Sequence, residues 1–493
     1  MDARLRLALA ALGAAIVLGI LGDGLLRAFP WGLNAPAWLF VTLGVALGLV
    51  RLGGVEWRGE GRWLLIAAAL AAAGIAWRDS RTLKLLSMAA VLAALAIAAA
   101  RSRTGRVVVA RISDYLMAGL SAGAHVMLGL ALLVLGDVRW EAVPREGAAR
   151  RIIALGRGLV IAVPILLTFT GLFMAADAAF EGIVTRLLDI DFQELFSHVF
   201  LIGFWTWIAG GFLRALLFSQ PATPASGRPI TVGIVEIAVV LGLVNALFLG
   251  FVLVQLRYLF GGAPLVALSP DLTYAEYARR GFFELVTVAA LVLPLLLAAD
   301  WTLRRDGPRV EIAFRALAGT LLVLLGVVLA SALQRMRVYQ GQYGLTELRL
   351  YTTAFMGWLV LVFGWLAATV LRGRPERFAF GALAAGFLVL GALDVLNPDG
   401  LIARVNAARV GEGKAFDAEY AASLSADAVP ALVAALPRLG PVERCVVARV
   451  ALAVWRKPSD LDWRRWSVGL ARAWSAVGRN EAELRASLCQ PPG

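Results

Sequence analysis

Residues 232–256, VGIVEIAVVLGLVNALFLGFVLVQL, decide the fold class. The run holds 25 residues with a single ionisable side chain, Glu236. A helix of about 20 apolar residues crosses the hydrocarbon of a bilayer. The apolar positions do not alternate, which excludes the short alternating strands of a membrane barrel. In lipid the backbone amides must then be satisfied within the segment, so the run is a helix.

Comparable runs lie near 5–22, 35–50, 63–77, 83–100, 115–135, 152–176, 196–218, 281–299, 311–333, 348–371 and 378–396. The run at 63–77 is short and Ala-rich, and with its neighbour it suggests a tight hairpin. The whole chain has 493 residues, 60% hydrophobic and only 16% charged. Ordinary globular chains carry about 45–50% apolar and about 25% charged residues. The expected class is therefore all-α: a polytopic helical integral membrane protein with 11–13 transmembrane helices and a small α-helical C-terminal tail. Three regions follow: N-terminal transmembrane helices over 1–150, a transmembrane core over 151–396, and an extramembrane helical tail over 397–493.

The first helix follows Arg4 and Arg6 and imitates a signal peptide. No clear small-residue cleavage site follows it, so it is expected to remain as a span. The formal net charge is +13, carried mostly by Arg, with Lys only at 84, 414 and 457. The charges sit largely in short loops between apolar runs, where they grip lipid headgroups. Membrane lipids are thus the expected partner, and nucleic acid is not. The loop charges are inconsistent with twelve simple crossings. Arg51, Arg58, Arg62, Arg101, Arg103, Arg106 and Arg111 favour one side, whereas Arg139, Arg145, Arg304, Arg305, Arg372 and Arg374 then favour the other. An odd number of crossings is expected, with the N-terminus inside and the tail outside.

Two interfacial segments stand out. Residues 177–196 carry five acids and one Arg among large apolar residues and read as an amphipathic helix on the outer face. Residues 269–280 begin with Ser269-Pro270-Asp271-Leu272-Thr273, a helix-start pattern with Glu276 three residues on. In the tail, thirteen basic residues face ten acidic ones, and helices are expected over 417–423, 428–436, 442–456 and 461–477. Ser459 or Asp460 would cap the last, with Leu461, Trp463, Trp466, Leu470 and Trp474 as its core stripe. Both cysteines, Cys445 and Cys489, lie in the tail, and a disulfide between them would suit a small domain outside the membrane.

Intramembrane ionisable residues are the default functional candidates. They are His125, Arg157, Arg214, Glu236, Arg315 and Asp394, with neutral Asn245 and Gln255. Glu236 and Asn245 lie nine residues apart on opposite faces of one helix. Glu236, Arg157 and Arg315 sit near span ends and can snorkel. His125 is deep, and a structural hydrogen bond competes with proton relay; Asp394, just before Asn397-Pro398, can equally cap a helix. Pro164 and Pro294 mark kinks. The sequence contains no H-E-x-x-H, G-x-S-x-G or Walker motif, and two distant histidines make a zinc site weak. No cofactor, metal ligand set or catalytic group is expected.

Several stretches together resemble the bacterial DUF4153/DUF4173 families of multi-pass membrane proteins. They are FVLVQLRYLFGG at 251–262, LTYAEYARRGFFEL at 272–285, YGLTELR at 343–349 and LNPDGLIARVN at 396–406. The resemblance covers roughly residues 150–430 and implies a bacterial inner-membrane location, but it names no reaction. The motif residues Gln255, Arg257, Tyr274, Glu276, Tyr277, Arg280 and Glu284 flank one interfacial loop. Tyr343, Glu347 and Arg349 flank another. Together they are expected either to fix helix ends or to form one polar site. Size and span number favour a transporter or channel-like protein for a small solute or lipid. The alternatives are a membrane scaffold, sensor or assembly partner acting through the tail and an extracytoplasmic protein, or an enzyme on a lipid-linked substrate.

Overall fold

The computed structural model describes residues 2–102, 105–142, 148–188, 192–218, 231–261 and 282–489. The regular structure of the described residues is helical, with one isolated bridge between Val232 and Leu303. The first group of helices is α1 (Ala3–Leu26), α2 (Asn34–Leu52), α3 (Leu64–Trp77), α4 (Arg81–Arg101) and α5 (Ile112–Leu132), the last prolonged by a wider turn to Asp137. Then come α6 (Ala148–Ala176), α7 (Ala178–Leu188), α8 (Phe192–Phe218), α9 (Ile234–Gly261), α10 (Phe282–Thr302), α11 (Pro308–Tyr343), α12 (Glu347–Thr369) and α13 (Phe378–Leu396). Among the described residues, eleven helical segments are long and apolar enough to cross a membrane. The deciding run at 232–256 is α9, and the short run at 63–77 is α3, hairpinned to α4 through Arg78, Asp79 and Ser80.

The bundle packs in three groups, one of them α3 and α4 against α2 and α13 around Leu43, Ala68 and Ala94. Helices α9 to α13 share a core around Leu241, Leu296, Leu321, Leu325, Met356 and Leu366. On the other side α1, α2, α5 and α8 meet through small residues; Ala8, Ala11 and Ala15 are fully buried. Gly22 is needed there, since a Cβ on it would sit 2.6 Å from the Trp205 side chain of α8. Close approach through small residues drives helix association where lipid supplies no hydrophobic contrast.

Hydrogen bonds sort the connections between two ends of the bundle. At one end, the Gly59 N–H donates to Ser102 O (2.9 Å), and Glu60 Oε2 accepts the N–H groups of Val107 (2.7 Å) and Val108 (2.8 Å). The Ala110 N–H reaches Glu376 O (2.8 Å), and Arg304 N–H reaches Val232 O (2.9 Å). Arg4 and Arg214 close on buried Asp137 at 3.1 and 2.7 Å. The arginines whose loop positions conflicted in the sequence, as far as they are described, all lie at or beside these connections. At the opposite end sits the tail. Its Trp466 O accepts the Leu33 N–H (2.8 Å), Arg464 donates to Gly24 O (2.6 Å), and the Asn406 side-chain amide pairs with the backbone of Leu345 through two bonds of 2.8 Å. Helix α11, 36 residues and about 54 Å long, exceeds a bilayer and carries Tyr339 and Tyr343 up to the tail.

The tail folds as α14 (Pro398–Val410), α15 (Ala418–Ser423), α16 (Val429–Ala435), α17 (Pro441–Val454), α18 (Val468–Arg479) and α19 (Glu481–Ala486). Cys445 and Cys489 are joined, with Cα atoms 5.4 Å apart. The last long helix departs from expectation: α18 begins at Val468, capped by Ser467, not near residue 461. Asp462 instead folds onto Arg464 and holds a separate 3-10 turn. The expected Trp stripe is not the core either. Trp463 is 53% exposed, while Gly469, Ala473, Ala476 and Val477 form the buried face of α18. The amphipathic segment at 177–196 divides into α7 and the first turn of α8, and Asp177 caps α7 by accepting the Ala179 N–H (2.8 Å).

Candidate functional site

Several of the most buried charges among the described residues meet where the tail joins the bundle. Arg78 follows α3, and its N–H still bonds back to Gly74 O (2.9 Å). The adjacent Trp77 ring lies 4.8 Å from the guanidinium carbon and turns it inward. There Nε donates to Asp394 O (2.6 Å) at the end of α13, Nη2 reaches Val395 O (3.4 Å), and Nη1 lies 3.5 Å from Asp427 Oδ1. The Arg78 side chain is 4% exposed and that of Asp427 2%.

Asp427 belongs to the tail, yet it caps a membrane helix. Its Oδ2 accepts the N–H groups of Asp79 (2.5 Å) and Ser80 (3.2 Å), just ahead of α4. The first N–H groups of a helix lack internal partners, and a carboxylate there also complements the helix dipole. Ser80, at the usual capping position, does not cap; its hydroxyl pairs with Tyr351 Oη of α12 at 3.2 Å. Lys84 Nζ holds Asp79 Oδ1 at 2.7 Å. Gly469 of α18 leaves room for Asp427, since a Cβ there would sit 2.6 Å from Oδ1.

Two further carboxylates complete the cluster. Asp399 lies in the first turn of α14, behind Asn397, which adopts φ 55° and accepts the Gly400 N–H (3.1 Å) while donating to Asp427 O (3.2 Å). Asp399 Oδ2 accepts from the Ser425 hydroxyl (2.5 Å) and N–H (3.3 Å), but Oδ1 has no partner among the described residues. Burial pushes the Asp399 carboxyl up to about 6, against the opposing pull of the Ser425 hydroxyl. Burial also raises Asp427, against the Asp79 N–H and Arg78. Asp394 is buried, and its Oδ1 and the hydroxyl of Ser87 are likewise unpartnered among the described residues. A Cβ on Gly74 would press on both, at 2.8 Å from Asp394 Oδ2 and 3.2 Å from Ser87 Oγ. The buried guanidinium thus pairs with one carboxylate, Asp427, and ties it to the end of α13 through the Asp394 backbone, while Asp399 is held by Ser425. Such a site holds the tail by a buried ion pair and by hydrogen bonds.

A second polar knot joins α1 to α8 at the same end. His198 Nδ1 pairs with the Asp23 carboxylate, Arg27 Nη2 holds Asp23 at 2.8 Å, and Arg27 Nη1 donates to Ser197 Oγ (3.1 Å). Neither this knot nor the arginine pair on Asp137 was expected as a group.

Of the described residues singled out in the sequence, Asp394 alone falls in the buried cluster. His125 Nδ1 bonds Ser121 O (2.7 Å) of its own helix, not a neighbouring one. Glu236 is exposed in the first turn of α9. Asn245 Nδ2 donates across to Leu317 O of α11 (3.0 Å). Glu284 is exposed at the start of α10. Arg315 pairs with Glu311 at 2.9 Å. Arg349 stacks over Tyr339 at 4.1 Å and caps α11 by donating to Tyr343 O (3.1 Å) and Gly344 O (2.7 Å), while the Glu347 N–H donates to Tyr420 Oη (2.7 Å). That loop therefore fixes helix ends. Tyr274, Glu276, Tyr277 and Arg280 lie outside the described residues, as do the side chains of Arg157, Gln255 and Arg257, so the joint site expected of the two loops falls there too. Arg78 and Asp427 were missed. The available signal was an Arg directly after an apolar run ending in Trp77, and a lone acid in the apolar stretch Ala426-Asp427-Ala428-Val429.

No curated protein and no solved structure matches the chain. A family model described as a domain of unknown function, DUF4153, matches residues 65–435. The match runs from α3 to α16 and takes in Arg78, Asp394, Asp399 and Asp427, so the cluster lies inside the shared region. The chain belongs to the DUF4153 family.

Proposed function

We propose that this chain is a membrane-embedded platform that holds a disulfide-closed helical domain at the outer surface of the bacterial cytoplasmic membrane, where the domain acts as a scaffold, sensor or assembly partner. The observation that carries the reading is Asp427, a tail residue that caps α4 and pairs with buried Arg78. A tail seated by a buried ion pair is held as part of the bundle, not tethered loosely to it.

Two independent features favour an extracytoplasmic tail. Disulfides persist in oxidising compartments, and Cys445 is bonded to Cys489. The arginine-rich connections gather at the end opposite the tail, as expected of a cytoplasmic face. The tail also offers apolar side chains to a partner: Val442 is 73% exposed and Trp463 53%. Transport of a small solute or lipid draws less support, because His125 is bound to its own helix and Glu236 sits at a helix end.

The test is thiol labelling of intact cells with a membrane-impermeant reagent, before and after mild reduction. Labelling that appears only after reduction supports the placement; labelling that requires opening the membrane refutes it. Photo-crosslinkers at Val442 and Trp463 then test the partner. Discrete adducts with another extracytoplasmic protein are expected, and adducts with lipid alone would refute an assembly role.

A further inference from the structure

Helix α5 has both ends at the arginine end of the bundle. At its start, Asp114 lies 3.2 Å from Arg101 at the end of α4, and the Ala110 N–H holds Glu376 O between α12 and α13. At its finish, Asp137 lies between Arg4 of α1 and Arg214 of α8. Helix α4 begins at the tail, so Arg101 is at the far end; α1 ends at the tail, so Arg4 is also at the far end. A crossing helix would part its ends by about 30 Å along the bilayer normal. Instead α5 passes over α8 near that helix's last turns. Gly129 meets Gly211 there so closely that a Cβ on Gly129 would sit 2.7 Å from Gly211 Cα.

We infer that α5 lies in the plane of the membrane at the arginine end and, with its flanking arginines, forms a docking surface for anionic phospholipid. The outward side chains are apolar: Leu116 is 63% exposed, Leu120 68%, Met127 70% and Leu135 81%. They suit acyl chains. Exposed Arg106, Arg111 and Arg139 bracket the helix and suit negatively charged headgroups, the combination that seats amphipathic segments on anionic bilayers. Removing α5 from the crossings also places the arginine loops before and after it on one side, which resolves the conflict in the sequence. The proposed orientation decides only which leaflet is involved.

The experiment uses the full chain with Val108→Cys or Glu141→Cys, the native cysteines being joined to each other. An impermeant maleimide is applied to intact cells and to inverted membrane vesicles. Both positions labelling in inverted vesicles alone is the expected result. Labelling of one position from each side overturns the in-plane helix. Labelling of both from outside keeps it and overturns the proposed orientation instead. Melting temperatures of the purified chain are then compared in nanodiscs of phosphatidylglycerol and of phosphatidylcholine. A preference for phosphatidylglycerol, weakened by salt and at least halved in the triple variant Arg106→Gln, Arg111→Gln, Arg139→Gln, is expected. Equal stability in the two lipids, or a preference that neither salt nor the variant alters, overturns the lipid surface.

Discussion

Asp427→Ala should release the tail from the bundle. The substitution leaves the Arg78 guanidinium in place with its side chain 4% exposed and its carboxylate gone. Breaking a buried ion pair by removing one member costs about 3–5 kcal/mol. The N–H groups of Asp79 and Ser80 lose their acceptor as well, a loss of about 0.5–2 kcal/mol for a helix cap. Both effects act through one side chain and overlap, so the first range stands for the whole. Native-state proteolysis of the purified protein reads it, because cleavage tracks the population of the opened form. At tenfold per 1.4 kcal/mol, the tail should be cut about 100- to 4,000-fold faster than in the unaltered chain. Asp427→Asn retains an acceptor for the two N–H groups and should fall between the two. The double variant Arg78→Met, Asp427→Leu should recover much of the loss, since an apolar pair leaves no stranded charge. Cleavage of Asp427→Ala within threefold of the unaltered protein would refute the reasoning. So would a double variant that is additive, since contacting partners must show coupling.

Other outcomes follow from the same geometry. Reducing the Cys445–Cys489 bond, which closes a separation of 44 residues, should destabilise the tail by about 4 kcal/mol on the chain-entropy relation, read as a lower urea midpoint for tail tryptophan fluorescence. An unchanged midpoint would contradict that. The folded tail binds a proton on Asp399 more tightly than the unfolded chain does, with a value of about 6 against about 3.9. The Asp399 contribution to tail stability should therefore be fully present below about pH 4 and be lost as pH rises through about 6, by at most about 3 kcal/mol. Asp399→Asn should flatten that slope, and a slope that survives would assign it elsewhere. Gly211→Val should separate α5 from α8, because its Cβ would meet His125 O at 2.5 Å and Val126 Cα at 3.0 Å, both backbone atoms. Loss of folded yield in detergent is expected, whereas Gly203→Val, in open space on the same helix, should be tolerated.

The long helices were legible because lipid leaves them no alternative: α9 follows from an apolar run longer than a bilayer is thick, whatever packs beside it. The break before the tail was legible too, since Asn397-Pro398 both stops α13 and starts α14. The start of α18 was misplaced because Asp460 and Ser467 offer the same chemistry, and Asp462, between them, is spent on Arg464. The Trp residues promised a core by size, yet the small side chains of Gly469 and Ala473 allow closer packing. The cluster was least legible. Asp394 drew attention because it lies within a span, whereas Arg78 and Asp427 look like ordinary loop residues. Their partnership spans 349 positions, and no local pattern encodes it.

The cap that Asp427 supplies also imposes an order in time. It lies 348 residues beyond the Asp79 N–H that it accepts. At about 5–20 residues per second, synthesis separates the two by on the order of 20–70 s. Throughout that interval the hairpin of α3 and α4 stands at the membrane surface with those amides uncapped and Arg78 without its carboxylate. A chain cut short anywhere before residue 427 never closes that end. The junction is thereby a seal that only a chain extended past residue 427 can set.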